Sequence, residues 1–263
     1  MLGKLLKYDL KWIYKAVVVF YILAFLFSVI GRGLNSIENS LVFKTVGQIS
    51  MGFAVGMMIS SLINCLMRSW ARFVRNVYKD ESYLTHTLPV KKNTIYVSKV
   101  LAAIICIFTT VLVIITCLAI CYYSQANIDN LKSVLEITAS TYNTTVLNLI
   151  FIISTLIFIE IVFVLLIGYV GIIIGHQFNN GKMVKSIVTA IILYMLTQLL
   201  SLAGIYILGL FNTQVMNLIN TTDMISIDSI KNILYFAIGI YIIYIVIYYL
   251  VGKSQLEKGV NVE

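Results

Sequence analysis

Six long runs of apolar residues dominate this chain and restrict what it can fold into. They lie at residues 13–30, 46–67, 96–122, 146–174, 186–211 and 233–251. An α-helix needs about 20 apolar residues to cross the hydrocarbon core of a bilayer, so each run is long enough for about one span. The connections between the runs are short and leave no stretch for a separate soluble domain. The sequence therefore predicts an all-α integral membrane protein of six transmembrane helices, with residues 1–263 forming a single transmembrane domain.

The composition agrees with a membrane environment. Sixty per cent of the residues are apolar, against roughly 45 to 50 per cent in soluble domains. The four cysteines, Cys65, Cys106, Cys117 and Cys121, all lie inside the apolar runs, whereas a disulfide framework needs oxidised, exposed positions. We therefore interpret them as small buried residues of a helix bundle.

The distribution of basic residues predicts the orientation of the chain. Of the 19 Lys and Arg residues, fifteen share a side with the N-terminus, and only Arg32, Lys44, Lys132 and Lys231 fall in the opposite loops. Basic residues concentrate on the cytoplasmic side, so both termini are predicted to be cytoplasmic. A secretory signal peptide is the competing interpretation of the first 30 residues, but no small-x-small cleavage pattern follows that run. The net charge of +8 then reflects topology, and no binding to nucleic acid is predicted.

The first 12 residues have the pattern of an amphipathic helix. Apolar residues recur at helical spacing, while lysines recur three or four positions apart on the other side. The apolar set is Leu2, Leu5, Leu6 and Leu10, and the basic set is Lys4, Lys7 and Lys11. We predict an elbow helix over residues 1–12 that lies on the inner leaflet, where anionic lipids attract lysines. The alternative is that these residues only flank the first span.

Residues 68–95 form the sizeable loop on the predicted cytoplasmic side, and aromatic residues are interleaved with its charges. Asp80 is placed to cap a short helix that begins at Glu81. Pro89, the chain's single proline, disfavours helical geometry at Leu88 and marks a break before the third span. A short helix followed by a rigid turn fits a docking element. The alternative is that the arginines only retain the loop in the cytoplasm and the aromatic residues only rest on the membrane interface.

Three stretches of sequence resemble a known family. They are MLGKLLKYDLK at the start, YKDESYLTHTLPVKKNTIYVSKVLAA from Tyr78, and GHQFNNGKMVKSI from Gly175. With them the chain resembles the membrane-spanning permease subunits of type-2 ABC exporters, particularly the small ones from Gram-positive bacteria. The similarity in topology covers most of the chain, and the informative motifs are confined to these three stretches.

The resemblance implies a set of parts and partners. It implies an elbow helix over Leu2 to Lys11 and a coupling helix in the loop after the second span. It also implies a separate ATPase that holds ATP and Mg²⁺. This ATPase drives two permease subunits, which are either two copies of one chain or two homologues. The residues implied for the ATPase contact are Tyr78, Asp80, Glu81, Ser82, Tyr83, Leu84, Thr87, Leu88 and Pro89. The family commonly places re-entrant helices between the fifth and sixth spans, and residues 212–232 are short for them, so a reduced element is expected there.

Catalytic motifs are missing from the sequence. A P-loop needs G-x-x-x-x-G-K-[ST] to cradle phosphates, and Gly252, Lys253 and Ser254 supply only its last three residues. His86 and His176 have no H-E-x-x-H pattern and no cysteine pair beside them, so a zinc site lacks its ligands. We therefore predict that this chain is not an enzyme and holds no metal or cofactor of its own.

Glu160 is the one acidic residue deep inside a span. A charged side chain at that depth costs about 2.5 kcal/mol or more, so this carboxyl group should be protonated, paired or turned toward water. Gln198 lies at a similar depth in the fifth span, which runs antiparallel, and a hydrogen bond between the two is our hypothesis. In one interpretation Glu160 lies on the substrate path or at the interface between subunits. In the other it only forms a neutral hydrogen bond between two helices.

Two series of small residues predict close approach of helices. Gly52, Gly56 and Ser60 recur every four residues in the second span, and Gly171 and Gly175 do so in the fourth. Such spacing lets helix backbones pack closely in membrane bundles.

Two functions remain open from the sequence. The topology, the elbow, the loop and the resemblance favour a permease subunit of an ATP-driven exporter in a bacterial cell membrane, which moves a peptide, lipid or drug-like substrate outward. The alternative is an autonomous ion-coupled transporter that uses Glu160 without an ATPase, although the repeat usual for that class is not evident. An intramembrane enzyme would need several polar residues converging at one depth, and the sequence lacks them.

Overall fold

The chain folds into α-helices throughout the residues that the computed structural model describes, which are 1–37, 40–87, 89–141, 144–213, 215–216 and 227–258. No strand occurs among them. The helices are α1 (Leu2–Asn35), α2 (Leu41–Val77), α3 (Ser82–Thr87), α4 (Lys92–Tyr122), α5 (Gln125–Thr141), α6 (Val146–Gly175), α7 (Lys182–Phe211) and α8 (Ile227–Lys258). The predicted all-α class is confirmed.

Six of these helices, α1, α2, α4, α6, α7 and α8, are long and apolar enough to cross a membrane. Each contains one of the six predicted spans. They extend beyond the apolar runs because no proline lies within them, so the backbone hydrogen bonds continue into the polar flanks. The single proline, Pro89, lies between α3 and α4, where the break was predicted.

The segment predicted as an elbow forms the first turns of α1, which runs without interruption from Leu2 to Asn35. Lys4, Lys7, Lys11 and Lys15 are all exposed on one side of this helix. Its opposite side is buried at Asp9, Ile13 and Val17. The amphipathic pattern is therefore present, and the placement of this segment on the membrane surface stays a prediction.

The contacts within the chain group the helices into two compact units, Met1–Asp129 and Asn130–Asn261. In the first unit α1 packs against both α2 and α4, and in the second α6 packs against α7 and α8. The core of the first unit contains Ala24, Ala54 and Met58. The core of the second is built around Phe163, whose ring lies against Tyr241 in an edge-to-face arrangement with centroids 5.1 Å apart.

All four cysteines are buried and free, as the sequence predicted. Cys65 on α2 and Cys106 on α4 face each other in the first unit, with their Sγ atoms 2.8 Å apart. Cys117 and Cys121 on α4 belong to the apolar core of the same unit. They act as small residues that let helices pack closely.

The connections between the long helices differ in structure. Gln125–Thr141 forms the helix α5, where only a connecting loop was expected, because it contains neither glycine nor proline. The turn between α6 and α7 ends at Gly181, whose φ of 66° is a left-handed conformation that favours glycine. The expected reduced element at residues 212–232 lies mostly outside the described residues.

Candidate functional site

The short helix α3 lies at the end of the first unit where the start of α1, the end of α2 and the start of α4 meet; we call this region the basic end. One side of α3 is buried at Ser82 and Thr85. The other side exposes Tyr83 and Leu84, which remain 77% and 66% accessible. The predicted helix in this loop is confirmed, and it presents an aromatic and an aliphatic side chain to the surroundings.

Glu81, the residue just before α3, attaches this helix to α2. Its Oε2 accepts hydrogen bonds from Nη1 of Arg72 at 2.7 Å and from Nδ2 of Asn76 at 2.5 Å. Its Oε1 forms an ion pair with Nε of Arg75 at 2.9 Å. Because three side chains of α2 hold one carboxylate, the start of α3 has a defined position against α2.

Asp9 on α1 is the centre of a second, more deeply buried group of polar contacts. Its side chain is 3% exposed. Oδ1 accepts from Nε of Arg72 at 3.1 Å and from Nζ of Lys99 on α4. Oδ2 accepts from Oγ of Ser98 at 3.0 Å. A single carboxylate of α1 is thereby bonded to both α2 and α4.

The two carboxylates and the neighbouring cations form one continuous network, which we call the charge cluster: Asp9, Arg72, Arg75, Asn76, Glu81, Ser98 and Lys99. Lys99 also donates to Oδ1 of Asn76 at 2.6 Å, which closes the network on its α4 side. Buried ions are tolerated only when they are paired and hydrogen-bonded. Here the carboxylates of Asp9 and Glu81 neutralise Arg72 and Lys99, so the cluster meets that condition.

Aromatic side chains support the cluster on two sides. The Trp12 ring lies under two guanidinium groups, those of Arg68 at 4.9 Å and Arg72 at 5.4 Å from its centroid, an arrangement in which the π-face attracts the cation. Tyr78 and Tyr96 both meet the ring of Phe73 edge-on, with centroids 6.2 Å apart. Burial raises the pKa of Tyr78 above its ordinary value.

A cavity of about 260 Å³ opens beside the charge cluster. Arg72, Asn76 and Lys99 form part of its wall, and Leu5 and Ile95 contribute apolar surface. Both cations already bond within the cluster. The cavity therefore offers space next to α3 and no unpaired charge.

The predicted ATPase-contact residues divide into two groups in the structure. Asp80, Tyr83, Leu84, Thr87 and Pro89 are exposed. The others that the structure describes, Tyr78, Glu81 and Ser82, are buried or engaged in the packing that holds α3, and Leu88 lies outside the described residues. The proposed helix cap at Asp80 is wrong: α3 begins at Ser82, so Asp80 lies two residues before it, and its side chain makes no hydrogen bond among the described residues.

The sequence analysis missed Asp9, Asn76 and Ser98. Asp9 is the first acidic residue of the chain, and it lies within the apolar side of the amphipathic segment, three residues after Leu6 and four before Ile13. An acidic residue in the apolar stripe of a helix is unusual because its burial requires a cationic partner. That signal would have identified Asp9, whereas nothing in the sequence marks Lys99 as its partner.

Glu160 and Gln198 lie in the second unit and are not bonded to each other. The side chain of Glu160 is exposed on α6, and both residues are neighbours of the Tyr241 hydroxyl on α8. The hypothesis of a Glu160–Gln198 hydrogen bond is therefore wrong for the described residues. Glu160 is free of ion pairs within the described part of the chain.

Neither unit offers an obvious metal centre within its described residues, where no group of three His, Cys, Asp or Glu side chains converges. The candidate site is consequently the basic end of the first unit, where α3 is exposed on one side and bonded to three helices through the charge cluster.

Comparisons of the chain with protein-family models, with curated proteins and with solved structures found no match.

Proposed function

We propose that this chain is the transmembrane permease subunit of an ATP-driven exporter, which couples a separate ATPase to the outward movement of a peptide, lipid or drug-like substrate. The observation that carries this proposal is the exposure of Tyr83 and Leu84 on α3, a helix whose position is held by the ion pairs of Glu81. A helix that is held in position and exposes apolar side chains is suited to bind another protein and to be displaced by it.

The location of α3 favours a protein partner over lipid as its contact. The exposed apolar residues of the six long helices need no protein partner, because a bilayer would cover them. Tyr83 and Leu84 belong to a short helix between α2 and α4, outside the long apolar helices, on the side that the basic residues predict to be cytoplasmic. Exposed apolar patches rimmed by polar residues mark protein or membrane interaction sites, and the position of this one outside the long apolar helices favours a protein.

The sequence resemblance supports the same partner. The chain contains no P-loop, so in this proposal ATP and Mg²⁺ bind to the ATPase, and closure of the ATPase drives two permease subunits. The placement in a bacterial cell membrane with cytoplasmic termini is part of the proposal. The substrate class stays open between peptide, lipid and drug-like molecules.

We expect the double substitution Tyr83→Ser with Leu84→Ser to weaken binding of the ATPase by about 10- to 100-fold, since truncating an important interface residue costs on the order of 1 kcal/mol or more and about 1.4 kcal/mol corresponds to tenfold in affinity. The measurement asks whether an ATPase is encoded beside the gene of this chain and co-purifies with the tagged chain, and then titrates the purified subunits. The matched control is Tyr122→Ser, which replaces an exposed tyrosine at the end of α4. Wild-type affinity in the double variant, or no binding to the wild-type chain, would contradict the proposal.

The ion-coupled transporter is a second candidate because Glu160 is exposed on α6 next to Tyr241. That function requires transport by the purified chain alone, driven by an ion gradient. Glu160→Gln should abolish such transport, because glutamine keeps the size of the side chain and removes its ionisable proton. Proteoliposome assays without any ATPase make this measurement, and transport that needs the ATPase instead would exclude this candidate.

A further inference from the structure

Arg72 on α2 holds the carboxylates of two other segments at the same time. Its Nε bonds to Oδ1 of Asp9 on α1 at 3.1 Å, and its Nη1 bonds to Oε2 of Glu81 at the start of α3 at 2.7 Å. The side chain is 12% exposed. One guanidinium plane therefore joins the residue at the start of α3 to α1.

We propose that Arg72 is a positioning residue that transmits a displacement of α3 to α1 and α4. In the free chain this is a mechanical link within the first unit, and its use during transport rests on the proposed function, in which the ATPase contacts α3. A shift of Glu81 pulls on Nη1 of Arg72 and changes how its Nε bonds to Asp9. The link connects the exposed contact helix to two of the long helices through hydrogen bonds of Arg72.

The bonding of Asp9 explains why α4 responds together with α1. Arg72 and Lys99 donate to the same oxygen atom, Oδ1, while Ser98 donates to Oδ2. Any change in the Arg72 bond therefore alters the bond that Lys99 makes with that oxygen. Lys99 and Ser98 both belong to α4, so the carboxylate acts as the junction of α1, α2 and α4.

The chemistry of the guanidinium group makes arginine necessary at this position. Its donors lie in a planar fork of fixed geometry, so two separated carboxylates can be bonded by one side chain. A lysine ammonium is a point charge on a flexible stem, and it would bond mainly to one of the two. The Trp12 ring, 5.4 Å from the guanidinium carbon, restricts the plane further and keeps both donors aimed at their acceptors.

The experiment is amide hydrogen exchange on the purified full chain in lipid nanodiscs. We expect Glu81→Gln to speed exchange of Ser82–Thr87 by about tenfold, because hydrogen bonds to charged groups contribute enough to protect a local opening by that factor. Exchange at residues 6–11 of α1, which Glu81 does not touch, should rise about threefold or more. The matched control is Asp80→Asn, the neighbouring exposed carboxylate without a hydrogen bond in the described chain, which should change neither segment.

Arg72→Lys tests whether the effect passes through the guanidinium. In that background Glu81→Gln should produce a smaller further change at residues 6–11, since Arg72 no longer joins the two carboxylates and only the route through Asn76 and Lys99 remains. Arg68→Lys, which replaces the other arginine over Trp12, should leave the response to Glu81→Gln intact. Faster exchange at α3 with none at α1, or equal responses in the Arg72→Lys and Arg68→Lys backgrounds, would overturn the proposal.

A second readout separates this inference from the proposed function. The affinity of the Arg72→Lys chain for an ATPase that binds the wild-type chain should stay within about twofold of the wild-type value, because Tyr83 and Leu84 are unchanged. The variant should lose the substrate-stimulated part of ATP hydrolysis, so binding and turnover separate. If the wild-type chain binds no ATPase, the proposed function fails, while the exchange results still decide the role of Arg72. If the ATPase binds and Arg72→Lys keeps full stimulation, transmission through Arg72 fails and the proposed function stands.

Discussion

Asp9→Ala is expected to lower the free energy of unfolding of the first unit by about 3–5 kcal/mol, which is the usual cost of removing one partner of a buried ion pair. The carboxylate is 3% exposed and bonds to Arg72, Ser98 and Lys99. Its removal leaves the ammonium group of Lys99, which is 6% exposed, without its counterion. Thermal or denaturant unfolding of the purified protein in detergent measures the change.

Two further variants test whether the unpaired charge is the cause. Asp129→Ala removes an exposed carboxylate whose hydrogen bond within the described residues is to Gln125, and it should change stability by no more than about 0.5 kcal/mol. Asp9→Leu combined with Lys99→Leu removes both charges and should cost less than Asp9→Ala alone, because paired charges can be replaced by apolar groups at little cost. A loss below about 1 kcal/mol for Asp9→Ala, as for exposed ion pairs, would show that water reaches the charge cluster.

Gly175→Ala is expected to disrupt the packing of α6 against α7 and to destabilise the second unit by about 1–3 kcal/mol or more, as overpacking does in well-packed cores. A Cβ atom at this position would overlap the backbone nitrogen and Cα of Ser186 on α7. Backbone atoms cannot move aside as a flexible side chain does, so the two helices must separate. Unfolding of the purified protein and crosslinking between α6 and α7 report the loss.

The matched control for this substitution is Gly239→Ala on α8. A Cβ atom there would meet nothing within 4 Å, so the change should be neutral or stabilising by up to about 1 kcal/mol, the difference in helix propensity between the two residues. Equal destabilisation by both substitutions would contradict the close approach of α6 and α7. Gly171→Ala should resemble Gly175→Ala, because its Cβ would lie 2.7 Å from the Cβ of Ala190.

The glycine series illustrate how far a sequence pattern can be read. Both series predicted close helix approach, and Gly171 and Gly175 confirm it through their contacts with Ala190 and Ser186. Gly52 and Gly56 have the same spacing, yet a Cβ atom on either would meet nothing within 4 Å. Spacing along one helix shows which residues share a side. It does not show which helix, if any, packs on that side.

The six long helices and the position of the break at Pro89 followed from the sequence alone. They depend on properties of single segments: the length of an apolar run needed to cross a bilayer, and the geometry that proline imposes on its neighbour. The amphipathic pattern of the first turns of α1 was equally local, and the exposed lysines match it. The short helix in the basic loop was predicted within one residue of its start at Ser82.

The charge cluster was decided only by the tertiary structure. Asp9 bonds to residues 63, 89 and 90 positions away in the chain, and no local pattern specifies such pairs. From the sequence, Lys99 and Arg72 count only among the basic residues that predict the orientation of the chain. They are partners of Asp9 because α1 packs against both α2 and α4. Burial makes these ion pairs necessary, because an ion removed from water must find a counterion. The sequence therefore determined the six long helices and the position of α3 between two of them, while packing determined which charges hold α3 in place.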